Sequence, residues 1–244
     1  MSQFLWKKVI TPDFSLTPEV INDSVFGGVI ENVRRISMDN SEIHIPDPKA
    51  VRSMTRAAIF LSSMIFELQP ILKGILAESP FSVGIYCALE NGPIDGPSTV
   101  EIMARSGGTL DFKFAEAYRK LRNPKMYLKQ LPNLAAAQFG ISMGIQGPMN
   151  VYTHSAFGSL QAAEQAAEDL KNGRVKAAVI MSAHAFDDMW IVRRSRKQDS
   201  RTLCEGAALF VATADTDISG VLKKPVEDSQ NFYGIADSLI QLCK

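Results

Sequence analysis

The stretch "LPNLAAAQFGISMGIQGPMNVYTHSAFGSLQAAEQAAEDLKNGRVKAAVIMSAHA", residues 131–185, carries four structural elements in a row. Its Ala-rich start has the composition of a helix, which Gly144 and Gly147 close and Pro148 prevents from resuming. "MNVYT" then has the character of a short strand. Residues 158–171 set Leu160, Ala163, Ala167 and Leu170 on one helical face, with Gly173 as the stop. "KAAVIMSAHAF" is almost wholly apolar, as a strand buried on both faces of a parallel sheet must be. Residues 152–183 are therefore expected to form a βαβ unit with tight connections and a right-handed crossover.

The flanks extend this pattern in both directions. Upstream, "KKVI" is a short strand stopped by Pro12, and residues 15–53 lack periodicity and are expected to be surface loops with one short helix. Ala50, Met54, Ala57, Ala58, Leu61, Met64, Ile65 and Leu68 recur at helical spacing, in a helix that ends near Pro70 or continues, kinked, to Leu76. "FSVGIYCAL" is an apolar strand leading into a Gly- and Pro-rich loop. "STVEIMARSG" and "TLDFKFAEAYRKL" are short helices, and "RNPKMYLKQLPN" is a connection with two prolines. Downstream come a charged loop, "DDMWIVRRSRKQDSR", a strand over 207–214, and a final amphipathic helix on Phe232, Ile235, Leu239 and Ile240. The expected architecture is one three-layer α/β domain over 1–244, with 215–244 as a C-terminal extension ending in a helix.

Composition excludes several function classes. With 26 Lys+Arg against 26 Asp+Glu there is no net positive field for nucleic acid. Cys87, Cys204 and Cys243 are too scattered for a disulfide framework or a metal knuckle, and point to a reducing, cytoplasmic setting. The N-terminus has no signal-peptide pattern. The most apolar run, residues 57–72, is broken by serines, Glu67 and Pro70, so no transmembrane segment is expected. No phosphate-loop or dinucleotide fingerprint occurs, so no cofactor is expected. Asp187 and Asp188 beside His184 lack the second cluster that a metal site needs.

Chemistry centres on Ser155. A residue between a buried strand and a helix start sits where unpaired backbone N–H groups and the helix dipole favour negative charge, as at a nucleophile elbow. A serine hydroxyl there needs a general base. His154 is adjacent and should point away, His44 lies in a loop, and His184, at the end of the next strand, is the one histidine placed to approach it. Two alternatives stay open at this stage: a serine-dependent acyltransferase or thioesterase using Ser155 with His184 as base, or a small residue in a disused pocket. The basic run holding Arg193, Arg194, Arg196 and Lys197 is either a solvated loop or a docking surface for an acidic carrier domain.

The combined spacing resembles the N-terminal half of β-ketoacyl synthases, which have the thiolase-like fold. Pro132, Asn133, Ala135 and Ala136 match the family's "PN.AA" helix, and Gly147 and Pro148 its turn. Thr153 keeps the threonine of Thr-Ala-Cys, and Ser155 falls on the cysteine. Gly158 keeps the elbow glycine, Glu205, Gly206 and Ala207 the "EGA" motif, and Met54 and Arg56 the "MD..SR" element. The likeness covers about residues 50–213 and implies a mostly parallel mixed sheet.

A ketosynthase needs a low-pKa cysteine to hold an acyl thioester, because a thiolate is strongly nucleophilic and a serine hydroxyl at neutral pH is not. The family's active-site histidines and lysine belong to a second half that this chain does not contain. The resemblance therefore implies a chain-length-factor-like subunit, not catalytic alone, closest to the short ketosynthase-like protein of aryl polyene clusters. Its implied partners are a full-length ketosynthase, as heterodimer or higher complex, and transiently an acyl carrier protein, in type II fatty acid or polyketide biosynthesis. The implied interface and tunnel candidates are Pro132, Asn133, Phe139, Met143, Val151, Tyr152, Thr153, His154 and Phe157, with "MNVYT" as the strand that meets the partner.

Overall fold

In the computed structural model, residues 4–23, 27–37, 49–153, 157–218 and 230–243 are described. The larger sheet has the order β1 (Trp6–Ile10), β8 (Gly206–Thr213), β6 (Ala177–His184), β4 (Val83–Leu89), β5 (Met149–Tyr152). The three central strands are the apolar runs of the sequence and are buried almost throughout, because helices cover both faces. β4 pairs in parallel with β5 and β6, while β8 runs antiparallel to β6 and β1.

Side chains alternate between the two faces with the period of a strand. Ile85, Cys87, Val179, Met181, Leu209 and Val211 face α1 (Arg56–Ser62), α2 (Ile65–Glu78) and α6 (Asn133–Met143). Tyr86, Ala178, Ile180, Ala208 and Phe210 face α7 (Gly158–Lys171) and the C-terminal helix α9 (Asp237–Cys243). The result is the expected three-layer α/β arrangement, with the C-terminal helix beside α7 as part of one outer layer.

The crossover differs from the simplest βαβ unit. β5 and β6 flank β4 instead of pairing with each other. α7 therefore bridges over a strand placed some sixty residues upstream in the chain, a neighbour that local periodicity cannot reveal.

The final helix, expected on Phe232, Ile235, Leu239 and Ile240, begins only at Asp237, because Phe232 lies in a short strand and Ile235 in a 3-10 turn. Three other segments depart from expectation. Residues 15–53, expected as loops, contain the hairpin β2 (Glu19–Asn22) and β3 (Val29–Arg34). With β7 (Thr202–Cys204) and β9 (Asn231–Phe232) these form a second sheet, β2-β3-β7-β9, over a small core of Ile30, Val33, Phe186, Ile191, Val192 and Leu203. These strands are short and half exposed, and β3 finds β7 only through the tertiary fold. The proline-containing connection is α5 (Pro124–Gln130), started by the Asn123 side chain accepting from Lys125 N and by Pro124 in its first turn, where a missing N–H costs nothing. The charged loop is α8 (Met189–Gln198), with Asp188 accepting from Ile191 N as its N-cap.

The remaining helices are α3 (Gly96–Ser106), capped by Asp95, and α4 (Phe112–Leu121), capped by Asp111. The early helix is two helices, broken at Ser63 and Met64, and the second continues through Pro70 to Glu78. Among the described residues no single helix is long and apolar enough to cross a membrane. The bent pair α1 and α2 qualifies only by length and composition, and its Phe60, Leu61, Met64, Ile65, Leu68 and Leu72 are buried in the core.

Candidate functional site at the carboxyl edge of the parallel strands

β4, β5 and β6 run in the same direction and end at one edge, the position where open α/β sheets place ligands. Gly158 begins α7 at this edge. Ser155, His154 and Ala156 lie outside the described residues, as does His44. Gly158 and Ser159, which follow them at the start of α7, are described.

The C-terminal segment closes this edge. Tyr233 is fully buried and its N–H donates to Asp237 Oδ1 at 3.1 Å. Gly234 lies flat on the His184 ring at φ +52°, where an added Cβ would be 2.3 Å from Nδ1. Ile235 is buried beside Gly158, where an added Cβ would be 3.3 Å from Ile235 Cδ1, and its carbonyl accepts from the Ser159 hydroxyl. Gly206 permits the same approach further along, since a Cβ there would be 2.6 Å from Ile240 and 2.7 Å from Tyr233. The turn Tyr233–Ala236 thus sits between the start of α7 and the end of β6.

That arrangement bears directly on His184 as a base. Its Nε2 is 3.1 Å from the Ser195 hydroxyl, which itself donates to Ile191 O. Its Nδ1 is 3.6 Å from Glu90 Oε1, beyond hydrogen-bond length, and neither atom has a hydrogen-bond partner among the described residues. Burial holds the imidazole pKa below its ordinary value, against the pull of Glu90 and Glu205. The Glu90 carboxylate is also ion-paired with Arg194. Both His184 nitrogens therefore face groups other than the α7 terminus. Glu90, His184 and Ser195 follow the order of a hydrolase triad, but Ser195 is fully buried and presents no nucleophile to a substrate.

Two motifs recognised separately in the sequence meet here. Arg56 Nε donates to Glu205 Oε1 at 2.8 Å and Nη2 to Oε2 at 2.5 Å, a two-point pairing whose carboxylate is fully buried. Glu205 also accepts from Ile36 N and Phe186 N, both at 2.8 Å. Burial pulls the Arg56 pKa down, and the hydrogen bonds and charge of Glu205, with the charges of Asp187 and Glu19, together more than offset it. The pair ties α1, the entry to β8 and the loop after β6 together. Arg56 N–H further donates to Asp187 Oδ1 at 2.9 Å, and burial raises the Asp187 pKa.

Beside this anchor, a cleft of about 380 Å³ opens between the loop after β4, the α5–α6 junction and α8, with Ile94, Leu131, Pro132 and Trp190 as its apolar walls. It adjoins a narrower cavity that reaches Thr55, Lys129 and Asp187. Among the described residues no cluster of His, Cys, Asp and Glu could hold a metal ion.

The remaining sequence candidates divide by position. Pro132 lines the cleft and Asn133 opens α6. Phe139 and Met143 are packed in the core under the sheet and line neither cavity. Val151 and Tyr152 are half-buried on the edge strand β5, Thr153 is exposed, and Phe157 stands 67% exposed. Three of the four basic residues have internal work: Arg193 pairs with Asp23 at 2.7 Å, Arg194 with Glu90, and Arg196 donates to the carbonyls of Arg201 and Glu31. Lys197 is exposed. Sequence reasoning missed Glu90, Trp190 and the Tyr233–Ile235 turn. Only Glu90 left a signal, as the first charge after an apolar strand.

No protein-family model and no curated protein matches the chain. Solved structures do match in fold. A β-ketoacyl synthase from Burkholderia phymatum STM815 aligns at 14% identity and TM-score 0.52, covering 73% of this chain and 47% of that one. A type II polyketide-synthase acyl-carrier protein in complex with its ketosynthase bound to the hexaketide gives 15% identity and TM-score 0.55, covering 73% and 52%. The chain thus has the thiolase-like fold of ketosynthases and spans about half the length of the structures it matches.

Proposed function

We propose that this chain is a non-condensing, chain-length-factor-like partner subunit of a full-length β-ketoacyl synthase, acting in type II polyketide or fatty acid assembly of the aryl polyene kind. The observation that carries the proposal is the turn Tyr233–Ala236, which occupies the space between the start of α7 and the end of β6. A condensing site needs that space for an acyl thioester. Ser155 in place of a cysteine supports the same reading, because its hydroxyl is a weak nucleophile and His184 is turned toward other groups.

The partner would meet the open edge of β5, which among the described residues pairs with β4 alone and is the last strand of its sheet. Met149 and Phe157, exposed at the two ends of this stretch, would supply apolar contact. The cleft walled by Leu131, Pro132 and Trp190 would contribute to a shared acyl tunnel, with the carrier protein as a transient visitor.

Co-expression with a full-length ketosynthase tests the proposal. The expected result is a stable heterocomplex by co-purification and mass, disrupted by Val151→Pro in the edge strand, while the chain alone forms no carbon–carbon bond from acyl and malonyl thioesters. Condensation by the chain alone, or failure to associate with any ketosynthase, would overturn it.

A further inference from the structure

Three of the four basic residues predicted to dock a carrier are paired within the protein, and a second basic surface exists elsewhere. Residues 105–129 carry seven Lys and Arg against two Asp and Glu, a local excess in a chain with no net charge. The excess is concentrated on α4 and the turn into α5. On α4 the inward face is formed by Phe114, Ala117, Tyr118 and Leu121, which are buried or half-buried, and α4 packs mainly on α3. Helical spacing then puts Phe112, Lys113, Glu116, Arg119 and Lys120 together on the outward face.

Phe112 is 82% exposed, and Leu110, just before the helix, 81%. Of the neighbouring cations, Lys120 pairs with Glu116 at 2.8 Å and the Arg122 guanidinium lies 5.8 Å from the centroid of the Tyr118 ring. Lys113, Arg119 and Lys125 are exposed and make no ion pair among the described residues. An exposed aromatic side chain surrounded by available cations has the make-up of an interface anchor with an electropositive rim.

We infer that the outward face of α4, with the turn into α5, is a docking surface for an acidic protein domain, with Phe112 as its apolar anchor and Lys113, Arg119 and Lys125 as its charge contacts. The carboxylates of Asp111 and Glu116, interspersed with the cations, favour a protein partner with its own mixed pattern over a uniformly anionic lipid surface. Under the function proposed above, on which the identity of the partner rests, that domain is the acyl carrier protein.

The test uses the full chain and holo acyl carrier protein as probe, with affinity measured at about 0.05 and 0.5 M salt. Binding should weaken with salt, fall at least about tenfold in a Lys113→Glu/Arg119→Glu/Lys125→Glu variant, and fall again on Phe112→Ser. Lys197→Glu on α8 should leave it unchanged. If the triple variant fails to fold by circular dichroism, Arg119→Ala and Lys125→Ala should each weaken binding about threefold. Absence of binding, or affinities within twofold across these variants, would overturn the inference. So would binding to phosphatidylserine vesicles without binding to the carrier. Carrier binding lost while the ketosynthase complex persists refutes only this surface, whereas loss of the ketosynthase complex with carrier binding intact refutes the subunit assignment.

Discussion

Replacing Gly234 by alanine should release the C-terminal segment from the sheet edge. The new Cβ would lie 2.3, 2.4 and 2.6 Å from Nδ1, Cε1 and Cγ of His184, and the backbone there has φ +52°. The left-handed conformation costs a residue with a Cβ about 1–2 kcal/mol. Forcing one more carbon into a packed contact costs about 1–3 kcal/mol. The sum, about 2–5 kcal/mol, is a large part of the roughly 5–15 kcal/mol that stabilises a domain. Two measurements separate the outcomes: urea unfolding followed by circular dichroism, and amide exchange by mass spectrometry. Residues 230–243 should lose protection while β4 and β6 keep theirs. Adding His184→Ala removes the ring that the methyl meets, so the double variant should recover the steric share, giving a coupling of about 1–3 kcal/mol. A Gly234→Ala variant within about 0.5 kcal/mol of the parent, or strict additivity in the pair, would show that the turn is not held against His184 as described.

Other expectations concern the anchor, the buried histidine and the serine. Arg56→Met leaves the buried Glu205 carboxylate without its cation and should cost about 3–5 kcal/mol in urea unfolding; a cost below about 1 kcal/mol would mean the pair is not a structural anchor. Burial lowers the His184 pKa below the unfolded value of 6.5. Above that pH both states are neutral and the residue adds no pH dependence. As the pH falls through 6.5 the unfolded chain takes up a proton that the native state does not, so stability should decline by up to about 1.4 kcal/mol per unit until the folded pKa is reached. In His184→Gln that contribution should vanish from the difference curve, and an unchanged slope would refute it. Ser155→Ala should leave product formation by the ketosynthase complex nearly intact and no acyl adduct should form on the native serine by mass spectrometry. A serine-borne adduct lost in the variant would establish acyl transfer instead.

Local patterning carried much of the architecture. The apolar runs at Val83–Leu89, Ala177–His184 and Gly206–Thr213 mark central strands, because only a strand covered on both faces can be apolar at every position. Repeats at helical spacing mark α1, α2 and α7 for the same kind of reason, and the spacing of Pro132, Thr153, Gly158 and Glu205 led to the ketosynthase-type fold. Capping chemistry was present too, but weak: Asn123-Pro124 and Asp188 start α5 and α8, and each competes with a turn of nearly equal plausibility.

What required three dimensions was every relation between residues far apart in the chain. β4 lies between β5 and β6 although it precedes both, since strand order is decided by how helices cover the sheet. Arg56 and Glu205 were noticed as separate motifs, and only folding makes them one ion pair. The basic run on α8 looked like an available surface until Asp23, Glu90 and backbone carbonyls were brought against it. The same holds for the edge around the serine. An elbow is a local signal, readable from a strand, a glycine and a helix start. Whether it is open to a substrate depends on what packs beside it, and a turn some eighty residues downstream lies against Gly158 and Ser159 at the start of α7, through contacts that leave no periodicity in the sequence.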